Sequence, residues 1–258
     1  NISNAATTGL NLSTAATINN LSGGGTTGGN INLGSNTLTL VNAAATFAGN
    51  ISGTGNLTLT NGTQTLTGSG NTYTGNTTIN GGTLLLSGSG SISTSTNTIV
   101  NSILDIGNVT TSATVQNLSG NGTSSIILGS KTLNSTSANG TFAGVISGAG
   151  NLTLTNGTQT LTGANSYTGT TNITGGYLVV GTGGNIANSS AVNISNAATT
   201  GLNLSTAATI NNLSGGGATG GNINLGSNTL TLVNAAADRK STRLNSSHVS
   251  ESRMPSSA

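Results

Sequence analysis

The chain repeats its own sequence over long stretches, and this constrains its fold more than any other feature. Residues 1–45 recur as residues 193–237 with one difference in 45 positions. Residues 46–68 recur as residues 141–163 with two differences in 23 positions. The two shifts, 192 and 95 residues, describe a unit of about 96 residues that occurs nearly two and a half times. Such repetition requires a fold in which each unit contacts mainly its neighbours.

Within a unit, apolar and polar residues alternate with a period of two. Residues 30–41, NINLGSNTLTLV, and residues 56–68, NLTLTNGTQTLTG, have the pattern of strands with one buried face. The intervening threonines favour extended backbone, and Asn-Gly pairs such as Asn61-Gly62 mark turns. No stretch has helical periodicity. The sequence therefore predicts an all-β chain.

A β-sandwich also contains short strands, but it does not repeat its own sequence, so we predict a parallel β-helix (β-solenoid) over residues 1–237. A coil of roughly 20–24 residues gives about ten to twelve coils and a rod on the order of 50 Å long. The predicted inward ladder consists of Leu57, Leu59, Leu66, Ile79, Leu84 and Leu86, with Leu152, Leu154, Leu161, Ile173, Leu178 and Val180 in the second copy.

Charge is almost absent from the repetitive region. Before residue 238 the only charged side chains are Asp105 and Lys131. We expect Asp105 at a turn or strand end and Lys131 on a solvated corner. No basic patch offers a surface to nucleic acid or anionic lipid, and no apolar run approaches the ~20 residues of a membrane helix. We therefore expect neither nucleic-acid binding nor membrane insertion.

The small number of ionisable side chains also argues against an enzyme. Glycoside hydrolysis usually requires two carboxylates, and a serine or threonine nucleophile requires a base. Residues 1–237 contain one carboxylate and no His, Arg, Glu or Cys. We expect no catalytic residue, no cofactor and no metal site. The enzymatic alternative is a fragment of a polysaccharide-degrading β-helix enzyme whose catalytic residues lie in another region of its parent.

The last 21 residues break every trend of the repeat. After Ala237 the repeat predicts Thr-Phe-Ala-Gly, but the chain continues as Asp-Arg-Lys-Ser and ends in SRMPSSA. The string DRKSTRLNSSH corresponds to a translated sequencing-library adapter in one reading frame. Our interpretation is that residues 238–258 are a disordered, non-native tail. Because the chain begins within the pattern, we also interpret it as an internal fragment.

Residues 47–86 and 142–180 contain a motif that resembles the autotransporter-associated β-strand repeat, also called the passenger-associated transport repeat. Its elements are a Ser-Gly-x-Gly start, a Leu-Thr-Leu strand and an Asn-x-Tyr-Thr-Gly-x-Thr-x-Ile core. The core residues are Asn71, Tyr73, Thr74, Gly75, Thr77 and Ile79 in the first copy, and Asn165, Tyr167, Thr168, Gly169, Thr171 and Ile173 in the second.

This resemblance implies a right-handed parallel β-helix displayed outside a Gram-negative cell. It also implies a C-terminal translocator β-barrel in the parent protein, through which the passenger is exported and anchored at the outer membrane. The motif residues would then have a structural role that helps the passenger fold and cross. We expect a surface rod or adhesin stalk, with host or surface glycans as its candidate partners.

The sequence leaves two kinds of binding site open, one for sugars and one for ice. Tyr73 and Tyr167 hold the same motif position, where they are either exposed rings that stack on sugars or rings packed at a corner with bonded hydroxyls. Threonine-rich strands also raise ice binding, because stacked Thr-x-Thr rows on a flat face can order water. Against ice binding, we expect that the threonines do not recur once per coil at one fixed position.

Overall fold

The computed structural model describes residues 2–3, 9–25 and 28–234. This part of the chain is all-β without a helix, and its strands pair in parallel as a β-solenoid of about 11 turns. The predicted fold class and number of coils are confirmed. The tail predicted at residues 238–258 lies outside the described residues.

Each coil crosses three faces in a fixed order, which we call face 1, face 2 and face 3. Face 2 is one continuous sheet formed by β2 (Ala16–Ile18), β4 (Thr37–Leu40), β7 (Asn56–Leu59), β9 (Thr77–Ile79), β11 (Asn97–Val100), β14 (Asn117–Gly120), β17 (Thr141–Phe142), β20 (Thr158–Leu161), β22 (Gly176–Val180), β24 (Thr200–Leu204) and β27 (Asn222–Asn224).

The other two faces each consist of two sheets separated by a gap. Face 1 contains β1 (Gly9–Asn11), β3 (Asn30–Asn32) and β6 (Ile51–Ser52), then β13 (Ser112–Val115), β16 (Thr132–Ser135), β19 (Asn151–Leu154), β21 (Thr171–Ile173), β23 (Val192–Ile194) and β26 (Leu213–Gly215). Face 3 contains β5 (Ala43–Phe47), β8 (Gly62–Leu66), β10 (Thr83–Gly88), β12 (Ile103–Val109), β15 (Ser125–Ile127) and β18 (Val145–Ser147), then β25 (Ala208–Ile210) and β28 (Leu230–Leu232).

The core is a set of aliphatic ladders that run along the solenoid axis. On face 3, for example, Leu104 pairs with Ile126 and Ile126 pairs with Ile146, and all three side chains are fully buried. Every residue of the predicted inward ladder is also buried. Because each buried aliphatic side chain contributes about 1.5–3 kcal/mol, stacking of coils supplies the main stabilising term.

Repeated sequences do not occupy the same face. The NLTL strand is β7 on face 2 in the first copy and β19 on face 1 in the second. The TQTL strand likewise moves from face 3, in β8, to face 2, in β20. Along the path of three faces per coil, the shift from β7 to β19 spans 14 face positions, or 4⅔ coils. Each copy is therefore rotated by one face relative to the copy before it.

This rotation is tolerated because a strand needs the same pattern on every face. Apolar residues point inward and polar residues outward on β7, and the burial pattern of β19 is identical. Parallel pairing with the coils above and below uses only backbone groups. A strand of this repeat is consequently interchangeable among the three faces.

The two charged residues of the repetitive region lie on the outer surface. Asp105 lies inside β12, where its Oδ1 accepts a hydrogen bond of 2.8 Å from the Gly107 N–H at a bulge. It thus forms a local turn within a strand rather than at its end. Lys131 follows the turn between β15 and β16, at a corner as expected, and its Nζ donates to the Thr110 carbonyl of the preceding coil at 3.1 Å.

Candidate functional site

The two motif copies lie where a face lacks a regular strand. In the first copy, the gap on face 1 is bridged by Asn71, which is buried. Its Oδ1 accepts a hydrogen bond from the Ile51 N–H in the coil below, at 2.8 Å, and its Nδ2 donates to the Ser91 carbonyl in the coil above, also at 2.8 Å. The side chain thereby supplements the backbone bonds that Thr72 and Thr74 donate to the coil below.

Asn165 repeats this arrangement in the second copy, on face 3. Its Oδ1 accepts from the Ile146 N–H at 2.9 Å, and its Nδ2 donates to the Asn185 carbonyl at 3.1 Å. The motif therefore performs the same task on two different faces. The motif lies on a different face in each copy because the second copy is rotated by one face.

Each motif also contains a chain of buried hydroxyl groups that are hydrogen-bonded to one another. Tyr73 Oη lies 2.5 Å from Thr77 Oγ1, which donates to Ser95 Oγ at 2.9 Å. Ser95 in turn lies 2.8 Å from the Gly75 carbonyl, to which its hydroxyl donates. Because the Thr77 proton is used toward Ser95, the Tyr73 hydroxyl must donate to Thr77. The chain joins two neighbouring coils through their interior.

The second copy contains the same chain with the same order of donors. Tyr167 Oη lies 2.6 Å from Thr171 Oγ1, Thr171 donates to Ser189 Oγ at 2.9 Å, and Ser189 donates to the Gly169 carbonyl at 2.9 Å. Burial raises the pKa of Tyr73 and raises the pKa of Tyr167 to about 12, while the hydrogen bonds to Thr77 and Thr171 partly offset this. Both rings are enclosed in the core, so they present no surface to a sugar.

The remaining motif residues shape the corner between coils. A Cβ on Gly75 would lie 2.1 Å from the Gly55 carbonyl oxygen, and one on Gly169 would lie 2.2 Å from the Gly150 carbonyl oxygen. Glycine is required at both positions because the coil below approaches so closely. The exposed Thr74 and Thr168 donate their backbone N–H groups to that coil, and Ile79 and Ile173 are buried in the core.

The sequence analysis did not identify the serines that end the hydroxyl chains or the glutamines that are buried in the core. Ser95 and Ser189 each lie 18 residues after the motif threonine, and alignment of the two copies would have revealed them. Gln64 and Gln159 are buried at equivalent positions. The Gln64 Nε2 lies 3.0 Å from the Leu21 carbonyl two coils below, and the Oε1 atom of each glutamine has no partner among the described residues.

As predicted, the threonines do not recur in every coil, since Ile99, Val179 and Asn203 hold the same position of the register, but four successive coils do carry an in-register row. On face 2, Thr17 pairs with Thr39, Thr39 with Thr58, and Thr58 with Thr78, one outward threonine per coil. The spacings are 22, 19 and 20 residues. Because the coils differ in length, a row that is straight in space has no fixed period in the sequence.

The described residues contain no cluster of three or more His, Cys, Asp or Glu side chains that could hold a metal ion. Asp105 is the one carboxylate side chain in that part of the chain, and it has no second carboxylate to pair with. None of the same residues lies in a helix long and apolar enough to span a bilayer.

The fold and the two motifs together define a class, a repetitive parallel β-solenoid whose coils are joined by buried side-chain networks. The family model of the passenger-associated-transport-repeat matches the chain twice, at residues 61–86 and 156–180. The chain thus matches this repeat at two places, and the predicted resemblance is confirmed. Comparison with curated proteins and with solved structures gives no match.

The matched family is a structural repeat and is not a known enzyme family. Together with the solenoid fold, it fits a passenger repeat of an autotransporter. A passenger repeat implies a C-terminal translocator in the parent protein and display at the surface or outside the cell.

Proposed function

We propose that this segment is a non-catalytic, surface-displayed rod of an autotransporter passenger, an adhesin stalk that also assists its own secretion and folding. The observation that carries the proposal is the pair of buried motif networks, each of which joins three successive coils without a charged group. Such networks stiffen a solenoid and occur at the two places that the family model matches.

The path of the chain supports folding during export. Each strand pairs with the strand about one coil away in sequence, as Leu57 does with Leu38 below it and Thr77 above it. In such folds, order can spread from one coil to the next without distant segments. A passenger that leaves the translocator in an extended form can therefore fold coil by coil. Because the described residues carry almost no charge, this folding does not depend on forming ion pairs.

The test is display of the complete chain between a secretion signal and an autotransporter translocator in a Gram-negative host. We expect the chain to reach the surface, where externally added protease degrades it. A variant with Asn71→Ala and Asn165→Ala should reach the surface in smaller amount, because the gaps in faces 1 and 3 lose their bridges. The matched control, Asn80→Ala with Asn101→Ala, changes exposed or half-exposed asparagines.

Retention of the unmodified chain in the periplasm would refute the proposed role in export. An equal surface level for the two double variants would refute the part of the proposal that assigns assistance to the motif. Release of reducing sugar or unsaturated products from pectin-type polysaccharides by the purified chain would instead favour the enzymatic alternative.

A further inference from the structure

A row of outward hydroxyls runs along face 2, and we call it the hydroxyl row: Thr39, Thr58, Thr78, Thr141 and Thr160. Ile99 and Ser119 continue the row between Thr78 and Thr141. With strands about 4.8 Å apart, the six steps from Thr39 to Thr160 cover about 29 Å along the axis. The row is therefore long, straight and parallel to the rod.

The hydroxyls of the row are available to a ligand. None of the five makes a hydrogen bond to another described residue, whereas a threonine such as Thr60 donates its hydroxyl to the Leu40 carbonyl at 3.1 Å. Threonine side chains on a strand are also stiff at χ1. The row offers donors and acceptors that are already oriented and that lose little entropy when they are bound.

The equivalent rows on the other faces differ. On face 1 the outward row alternates threonine with asparagine, and its end is bonded to itself, since Asn193 Nδ2 donates to Asn172 Oδ1 at 2.8 Å and Ser214 donates to Asn193. On face 3 the outward row changes from threonine to Leu85 and then Asp105. Face 2 thus carries hydroxyls in six of seven successive coils, with Ile99 at the remaining position.

Two further features flank the hydroxyl row. On one side, a row of asparagines is fixed by its own bonds, for example Asn97 Nδ2 to Asn76 Oδ1 and Asn117 Nδ2 to Asn97 Oδ1, each at 2.8 Å. The same flank ends at Tyr177, which is half-buried and outward, next to Thr158 and Gly201 in the register. A Cβ on Gly201 would lie 3.0 Å from the ring carbons, so the ring covers that glycine.

We propose that face 2 binds a neutral, linear polysaccharide that lies along the solenoid axis, with sugar hydroxyls bonded to the hydroxyl row and one sugar stacked on Tyr177. The face carries no charged side chain, so a charged polymer gains nothing from it. It is an open face rather than a cavity, which suits an extended polymer. An aromatic ring with a polar end suits the face of a sugar.

Affinity electrophoresis of the complete 258-residue chain tests this proposal. The probes are glucomannan and hydroxyethylcellulose, which are neutral, and polygalacturonate, which is anionic. We expect at least one neutral polymer to retard the chain and polygalacturonate not to. Loss of two hydroxyls in Thr58→Val with Thr78→Val should weaken retardation by about tenfold. Tyr177→Thr, which installs the residue of the first copy, should weaken it as well.

Thr63→Val with Thr83→Val is the matched control, because these threonines are paired and outward on face 3. It should bind as the unmodified chain does. Equal binding by the two double variants, no retardation by either neutral polymer, or equal retardation by polygalacturonate would each overturn the proposal. Thermal hysteresis that the face 2 variant loses, with no retardation, would assign face 2 to ice instead. This assay uses purified protein, so its outcome is independent of export.

Discussion

At the residue scale, one buried hydroxyl stands without a partner. Thr98 points into the core above Thr77, and its Oγ1 bonds to none of the described residues. The second copy has Val192 at the equivalent position, above Thr171. A buried hydroxyl without a hydrogen bond costs about 1–3 kcal/mol. Thr98→Val should therefore raise the free energy of unfolding by about 1 kcal/mol or more, measured by urea denaturation.

The reciprocal change provides the control for this prediction. Val192→Thr introduces the same unpartnered hydroxyl at a site with the same neighbours, so it should lower the free energy of unfolding by about 1–3 kcal/mol. Equal destabilisation by the two substitutions would contradict the cost assigned to the Thr98 hydroxyl.

The buried tyrosines make stability depend on pH in the alkaline range. The pKa of Tyr167 is about 12 in the folded chain against 10.0 in the unfolded chain, and burial raises the pKa of Tyr73 in the same direction. The unfolded state thus loses its protons first, and stability is complete below pH 10 and falls as pH rises from 10 to 12. Each tyrosine contributes a slope of about 1.4 kcal/mol per pH unit in that window.

Urea midpoints measured from pH 8 to 12 test this dependence. Tyr73→Phe with Tyr167→Phe should remove most of the alkaline decline while lowering stability at pH 8, because Thr77 and Thr171 lose a donor. An alkaline decline of unchanged slope in the double variant would show that other groups cause it.

At the element scale, the strands could be predicted from alternation, but the faces could not. The inward positions of β7 and β19 follow directly from the period of two, as Leu57 and Leu152 show. The face of each strand depends on coil length, which varies too much to be read from residue spacing. Gln64 shares the inward parity of Leu66, and it was missed because only apolar residues were predicted to point inward, whereas here the small Ala45 in the coil below leaves room for the amide.

The side chain of Asn71, which bridges the gap in face 1, should contribute to the free energy of unfolding. Asn71→Ala leaves the buried Ile51 N–H without its acceptor, so it should lower the free energy of unfolding by about 1–3 kcal/mol. Amide exchange should also become faster at Ile51. Asn80→Ala, at an exposed corner, should change the free energy by less than about 0.5 kcal/mol. Equal effects of the two substitutions would contradict the bridging role.

At the scale of the whole molecule, the unit of 4⅔ coils predicts which deletions are tolerated. Removal of residues 46–140 joins Ala45 to Thr141 and keeps the local sequence, because residues 141–163 repeat residues 46–68. The product should remain a solenoid that is about 22 Å shorter, with its second part rotated by one face. Small-angle scattering and circular dichroism measure the length and the strand content. Removal of residues 46–130 instead joins Ala45 inside β5 directly to Lys131, without the end of β5 and the corner before β16, so it should unfold the coils around the junction.

We conclude that the chain is one rod in which successive copies are rotated by one face. Because the chain has no cysteine, spin labels can be placed by substitution alone. Thr58 and Thr160 lie on the same face five coils apart, so labels on Thr58→Cys with Thr160→Cys should give a narrow distance distribution near about 24 Å, before the length of the label linkers. Thr153, the repeat equivalent of Thr58, lies on face 1, so the pair Thr58→Cys with Thr153→Cys should give a distribution that reflects labels on two different faces. Distances that place Thr153 on the face of Thr58, and Thr160 off it, would contradict the rotation.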